Sequence, residues 1–372
     1  MFSKKYHLPV AILFSISLFA QQGDKNDFYI RGAVNYGFIL QQHSSIGELV
    51  NGNISGFELN YVKPATGKKL WHYENNFPER GVGFTYYNLG NPKQLGDLYA
   101  TYYFYDIPLN QKPKPFRLYL RVGEGLAFAP VHFNPITNHK DEVLSSPVNA
   151  YINFKWYWRW DITPWLRWEA GFNFSHASNG RFEVPNLGVN LVSVNSGLIY
   201  KFHTKTKTPV TLIDSSAKAT SRHELLFWAA VGANQFGEPG GKRYIAQSYS
   251  AAYYFNKRNT HKFGAGIDVY YNGANLAQLQ GQGDTLSNKL LNVQIGIKLA
   301  YAYNIGRLSL PIELGYYVYT KYTSDGYIFN RIGVRYYFKN NVVGIISLKT
   351  NWGVANYIEF GVGYRLPFKP KT

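Results

Sequence analysis

Between Phe174 and Asn190 the chain runs Phe-Ser-His-Ala-Ser-Asn-Gly-Arg-Phe-Glu-Val-Pro-Asn-Leu-Gly-Val-Asn, which sets a histidine and a serine two residues apart, His176 and Ser178. A serine hydroxyl becomes a nucleophile when an adjacent base takes its proton, and that base needs a third group to fix its tautomer. The elements around the pair decide whether these residues can meet. Leu166, Trp168, Ala170, Phe172 and Phe174 share the parity of His176 and Ser178, so on a strand all seven lie on one face. The return segment 189–203 carries Val192, Val194, Leu198, Tyr200 and Phe202 on one parity, interrupted by Ser196, and Asn190 has that parity too. If opposed residue numbers sum to 366, His176 faces Asn190 at a Cβ separation of about 5 Å. Ser178 then sits about 6.5–7 Å along the strand on the same face. A nucleophile, a base and an orienting amide would look out from an apolar surface, where a lipid would lie. The bland alternative is a polar pair solvated at a membrane interface.

The strands that must carry this site recur through the chain. The 372 residues include 32 Tyr, 25 Phe and 35 Gly, and mean hydropathy is negative. That combination suits a membrane barrel with aromatic girdles and a polar lumen better than a helical membrane protein. Segments of alternating hydrophobicity begin near residues 27, 53, 80, 96, 115, 147, 163, 189, 222, 243, 260, 289, 306, 327, 341 and 353. The expected fold is all-β: one closed antiparallel transmembrane β-barrel of about 14–16 strands over residues 21–372, with short turns at 162–164, 256–259, 305–306 and 339–341. Stacked soluble β-sandwiches would show the same alternation, but their strands are typically shorter. Two stretches, 64–79 and 204–221, are too long for the short-turn rim, and Thr204 to Lys218 reads as a turn rather than a domain boundary.

Residues 1–20 read as a cleaved signal peptide, with Lys4 and Lys5 before an apolar core from His7 to Phe19 and a small-residue site at Ala20. There is no cysteine, which excludes disulfides and thiolate metal sites. The formal charge of +17 on an exported chain points to anionic lipid headgroups rather than nucleic acid. The glycine pair Gly240-Gly241 lies in a loop with no following helix, so no nucleotide site is expected, and neither a metal nor a cofactor.

The hairpin resembles the lipid A 3-O-deacylase family of outer-membrane esterases, also called acyloxyacyl hydrolases. The resemblance is carried by His176-Ala-Ser178-Asn179-Gly180 and Pro185-Asn186-Leu-Gly188-Val-Asn190, with Gly81 to Asn91 and Arg121 to Ala127 upstream. It covers residues 28–203; residues 222–368 read as additional generic barrel strands. It implies an integral outer-membrane serine esterase acting on an acyl ester of lipid A or lipopolysaccharide. Ser178 would be the nucleophile, His176 the base, and Asn179 and Gly180 the oxyanion hole. The best-known members carry a glutamate where this chain has Asn190, and an amide can orient an imidazole but cannot neutralise an imidazolium. Glu183 is the alternative third member. Known members also include eight-stranded barrels, so sixteen strands in one ring would leave a wider lumen.

Other polar residues are read more simply. His43, His72, His132, His139, His203, His223 and His261 have no metal-ligand spacing and are expected to be solvated. Arg121, Arg167 and Glu169 have the parity of a lumen ion-pair network, whereas Glu124 has outward parity unless a bulge turns it inward. A non-enzymatic porin and an inactive lipid-binding barrel are the competing functions. The first needs an open lumen.

Overall fold

In the computed structural model of the protein, residues 28–110, 116–202, 222–281, 283 and 288–368 are described. The expected signal peptide and the stretch 204–218 lie outside them. Strands β1 (Phe28–Ile39), β2 (Ile54–Pro64), β3 (Glu79–Asn88), β4 (Asp97–Pro108), β5 (Phe116–Phe128), β6 (Val148–Asp161), β7 (Leu166–Ser178) and β8 (Val189–Phe202) form an antiparallel meander. It closes where β1 pairs with β8. A second meander follows: β9 (His223–Gln235), β10 (Arg243–Arg258), β11 (His261–Asn272), β12 (Val293–Ile305), β13 (Leu308–Thr320), β14 (Ile328–Tyr337), β15 (Val342–Asn351) and β16 (Val354–Phe368). It closes where β16 pairs with β9. Among the described residues three short α-helices, α1 (Ser44–Gly47), α2 (Leu70–Glu74) and α3 (Ala274–Gly281), and a 3-10 turn at Lys289–Asn292 decorate the connections.

Sixteen strands therefore begin within a few residues of the expected positions, but they close as two rings of eight rather than as one wide barrel. Alternation determines which face of a strand looks inward and is the same for any ring size. Ring size depends on which edges meet, and those edges are far apart in sequence. The boundary between the rings falls between Phe202 and His223, where the sequence suggested a turn within one barrel.

Each ring fills its own lumen. In the first, Arg121 is fully buried, with Nε and Nη2 on Asp106 at 2.7 and 3.1 Å and Nη1 on Glu58 at 2.8 Å. Lys155 bridges Glu58 and Glu169, Arg31 reaches Asp106 and Glu169, and Arg159 grips Glu79 with both nitrogens. Arg167, at the mouth, pairs with Asp161 at 2.5 Å. In the second ring Lys298 and Arg331 share Asp268 and Glu313, Arg331 also holds Glu359, Arg335 pairs with Glu313, and Lys262 pairs with Glu224. A water-filled channel would need this space, so the wide lumen expected of one sixteen-stranded ring is not what forms.

The other face is apolar and uncovered. Val34, Tyr36, Phe38, Phe172, Val194 and Leu198 on the first ring, and Val231, Ile267, Leu299 and Phe360 on the second, are exposed. Such a continuous apolar band belongs against lipid. Aromatic pairs sit toward the end where the two rings' termini lie, among them Phe28–Phe202 and Trp160–Trp168, each with ring centroids 4.6 Å apart.

The connection 65–78, too long for a turn, carries α2 and meets the second ring. Tyr303 Oη donates to Asn75 Oδ1 at 2.7 Å, Asn259 donates to Glu74, and Trp71 packs on Gly306. His72 is buried here instead of solvated, and its Nδ1 accepts the Gly67 N–H at 3.0 Å. Burial, and then the charges of Lys69 and Arg80, push its pKa down to about 4, so it is neutral at physiological pH.

Removing one partner of a buried ion network leaves uncompensated charge behind, which costs far more than an exposed pair. Arg121→Met should lower the stability of the first ring by about 3–5 kcal/mol, read as a shifted urea midpoint of the folded chain in detergent.

Candidate active site on the outer wall of the first barrel

The register of β7 against β8 pairs His176 with Asn190, Phe174 with Val192 and Phe172 with Val194, as the parity argument requires. Ser175 and Asn173 point into the lumen, where they bond Tyr151 and Asn153. His176 and Asn190 consequently lie on the outer face, above the exposed Phe172 and Val194. The row continues across β6 and β5 through Ile152 to Glu124. The β5 register is continuous from Phe116 to Phe128, so no bulge turns Glu124 inward.

His176 Nδ1 lies 2.6 Å from Asn190 Oδ1. Hydrogen-bond logic fixes who donates. Gln42 Nε2 donates to the carbonyl of Leu187 at 3.0 Å, and a carbonyl can only accept. Gln42 Oε1 must then accept from Asn190 Nδ2, at 2.8 Å, which turns Asn190 Oδ1 toward the imidazole. The ring nitrogen facing it, Nδ1, has to carry a proton, and in the neutral ring Nε2 is left as the basic nitrogen. Gln42, in the β1–β2 connection, is remote in sequence and was not legible there.

Ser178 is 7% exposed, at the end of β7 beneath the loop 179–188. Its Oγ accepts from the Gly180 N–H at 3.1 Å and from Asn186 Nδ2 at 2.8 Å. Asn179 does a different job from the one expected. Its own N–H goes to Asn186 Oδ1 at 3.2 Å, and its amide nitrogen ties the loop to Ser145 Oγ and Ser146 Oγ. The two donors at Ser178 are therefore Gly180 and Asn186, and Asn179 orients the latter. Asn186 was legible only as part of the motif. Glu183 pairs with Arg243 of the second ring. No hydrogen bond joins His176 to Ser178 among the described residues; catalytic hydrogen bonds commonly tighten only with substrate bound.

Gly188 explains how the two side chains fit together. Its φ is +75°, and a Cβ there would lie 2.8 Å from His176 Cε1 and 3.3 Å from Ser178 Cβ. The loop 129–147 completes the cover, through Gly188 N–H to Val143 O at 2.9 Å and Leu187 N–H to Glu142 O at 3.0 Å. Among the described residues no group of His, Asp or Glu could hold a metal.

Residues 55–198 match the family model described as lipid A 3-O-deacylase (PagL), and residues 223–369 match the model described as acyloxyacyl hydrolase, C-terminal domain. The chain is thus similar to the lipid A 3-O-deacylase family in its first half and to acyloxyacyl hydrolases in its second. Its second half, which read as generic barrel strands, has a family model of its own. The first match supports a hydrolase of an acyl ester of lipid A. No curated protein matches the chain. Among solved structures, Neisserial surface protein A is similar over 47% of this chain and 97% of its own, at 15% identity and a TM-score of 0.31. A mutant Rh. blastica porin is similar over 91% of this chain and 99% of its own, at 9% identity and a TM-score of 0.18.

Among the ionisable groups of the cover, Asp141 is the buried one. Asp141 is buried in the loop 129–147, and burial pushes its pKa up to about 7 although the Val143 and Leu144 N–H groups pull it down. The folded loop therefore holds a proton that the open loop gives up. Its closed form is favoured below the ordinary carboxyl range and weakens as pH rises from about 4 through about 7. Amide exchange at residues 142–143 and 187–188, corrected for intrinsic rate, should accelerate across that window. Asp141→Asn should flatten the dependence. In the same site Gly188→Ala should cost most of the hydrolytic activity, since the added methyl collides with the imidazole in a backbone conformation that disfavours it; turnover of lipid A in micelles measures this.

Proposed function

We propose that the protein is an outer-membrane serine esterase that removes an acyl chain from lipid A in the outer leaflet, with Ser178 as nucleophile, His176 as base and Asn190 as the group that orients it. The observation that carries this reading is the bond from His176 Nδ1 to Asn190 Oδ1 on the lipid-facing wall, with Ser178 Oγ two residues along and already met by two donors. Ser178 Oγ attacks the ester carbonyl carbon and its proton passes to His176 Nε2. The oxyanion formed is stabilised by the Gly180 N–H and Asn186 Nδ2. His176 then returns the proton to the sugar oxygen as the C–O bond breaks, leaving an acyl-serine. Water, deprotonated by the same imidazole, attacks the acyl carbon; the acyl–Oγ bond breaks, Ser178 Oγ takes the proton back from His176, and the fatty acid leaves. An outward site lets a substrate arrive laterally from the bilayer. The ion pairs packed through both lumens speak against an open pore.

An asparagine at position 190 holds the tautomer without charge, so the imidazolium of the transition state lacks a counter-ion. Asn190→Glu should raise turnover, and Asn190→Ala should lower it by roughly tenfold or more. Glu183→Ala, which breaks a largely exposed ion pair, should change it little. Ser178→Ala should abolish it. Mass spectrometry of lipid A incubated with each purified variant reads all four. Loss of activity in Glu183→Ala but not in Asn190→Ala would make Glu183 the third member, and an inactive parent chain would favour a lipid-binding barrel.

A further inference from the structure

The loop that brings the two donors to Ser178 is held on its far side by the second barrel. Gln235, at the end of β9 and 1% exposed, donates its backbone N–H to the Arg181 carbonyl at 2.9 Å. Its side-chain Oε1 accepts the Val184 N–H at 3.1 Å. Its Nε2 is anchored on the Glu238 carbonyl at 2.8 Å, so the amide cannot turn over without losing both bonds. Gly180, at φ +64°, is seated on Ile358 of β16 so closely that a Cβ would lie 2.4 Å from Ile358 Cγ1. Arg243 of β10 adds a bond from Nε to the Phe182 carbonyl at 3.2 Å, with its guanidinium 4.6 Å over the Phe182 ring. Five consecutive loop residues, 180 to 184, thus touch a ring from which, among the described residues, no hydrogen bond reaches Ser178 Oγ.

We infer that the second barrel serves as a clamp on the donor loop of the first, with Gln235 and Ile358 as positioning residues for the oxyanion donors Gly180 and Asn186. This rests on the reading of Ser178 as nucleophile. The first ring restrains the loop from one side through Asn179 on Ser145 and Ser146, and the second restrains it from the other. Donors that stabilise an oxyanion work only within a few tenths of an ångström of their place, and a displacement of about 1 Å can cost on the order of a hundredfold in rate. The clamp acts on the transition state rather than on lipid capture, because the exposed residues below His176, Phe172 and Val194, belong to the first ring.

The test uses the full chain in lipid A micelles. Gln235→Met keeps the side-chain length and removes the acceptor for Val184; Ile358→Ala independently removes the seat of Gly180. Each should lower kcat about tenfold or more while KM stays within about twofold. Amide exchange should quicken across 180–184 and stay unchanged in β9 and β16, the control that the second ring remains folded. Unchanged exchange across 180–184 in both variants overturns the inference, as does quickened exchange with an unaltered kcat. A parent chain that exchanges as expected yet cleaves nothing overturns the esterase reading, and with it the positioning role, while leaving the mechanical clamp in place.

Discussion

Lipid offers no hydrogen bonds, so a sheet that crosses a membrane must leave no open edge. The rest of this molecule depends on where its edges close. The pairing of Phe28 with Phe202 and of His223 with Phe368 ends each sheet at eight strands. That choice sets a lumen narrow enough for side chains to fill. The filling is ionic: Glu58 and Asp106 meet on Arg121 in one ring, and Asp268 and Glu313 meet on Arg331 in the other. Such charges are costly to desolvate, and they are tolerated because each finds partners at hydrogen-bonding distance. A rigid, filled barrel is a poor conduit and a good platform.

On that platform the proposed site lies on the face normally given over to apolar groups. His176 and Asn190 replace lipid-facing hydrophobes at one rim, where Gln42 of the β1–β2 connection supplies the polar partner of Asn190. The chain of amides from the Leu187 carbonyl through Gln42 and Asn190 to His176 holds an imidazole tautomer with no charge at the edge of a low-dielectric wall. An acidic residue would strengthen the base at the cost of burying a carboxylate. Ser178, nearly buried beneath its loop, is met from both sides by Gly180 and Asn186.

The second ring meets the first at both ends. At one rim α2 and Trp71 pack against Gly306 and Asn75 bonds Tyr303; at the other the donor loop is gripped by Gln235 and seated on Ile358. Contacts at both ends resist tilting of one ring against the other more effectively than either set alone. A connection as long as 65–78 is then a docking element rather than a defective turn.

Period-two patterning is a local property, and the sequence by itself determined the strands from it to within a few residues, together with the outward face of His176 and its partner at Asn190 across a short hairpin. The ionic lumen was legible at Arg121, Arg167 and Glu169 for the same reason. Ring size was not, because alternation is identical in one ring of sixteen and two of eight; only the long-range meeting of β1 with β8 and of β9 with β16 distinguishes them. The same limit hid Gln42, 148 residues from its partner Asn190, and Gln235, 51 residues from Val184. It also hid the burial of His72 and the bonds by which Asn179 ties its loop to Ser145 and Ser146. Each of these depends on loops that share a rim after the barrels close, and no spacing along the chain encodes which loops those will be.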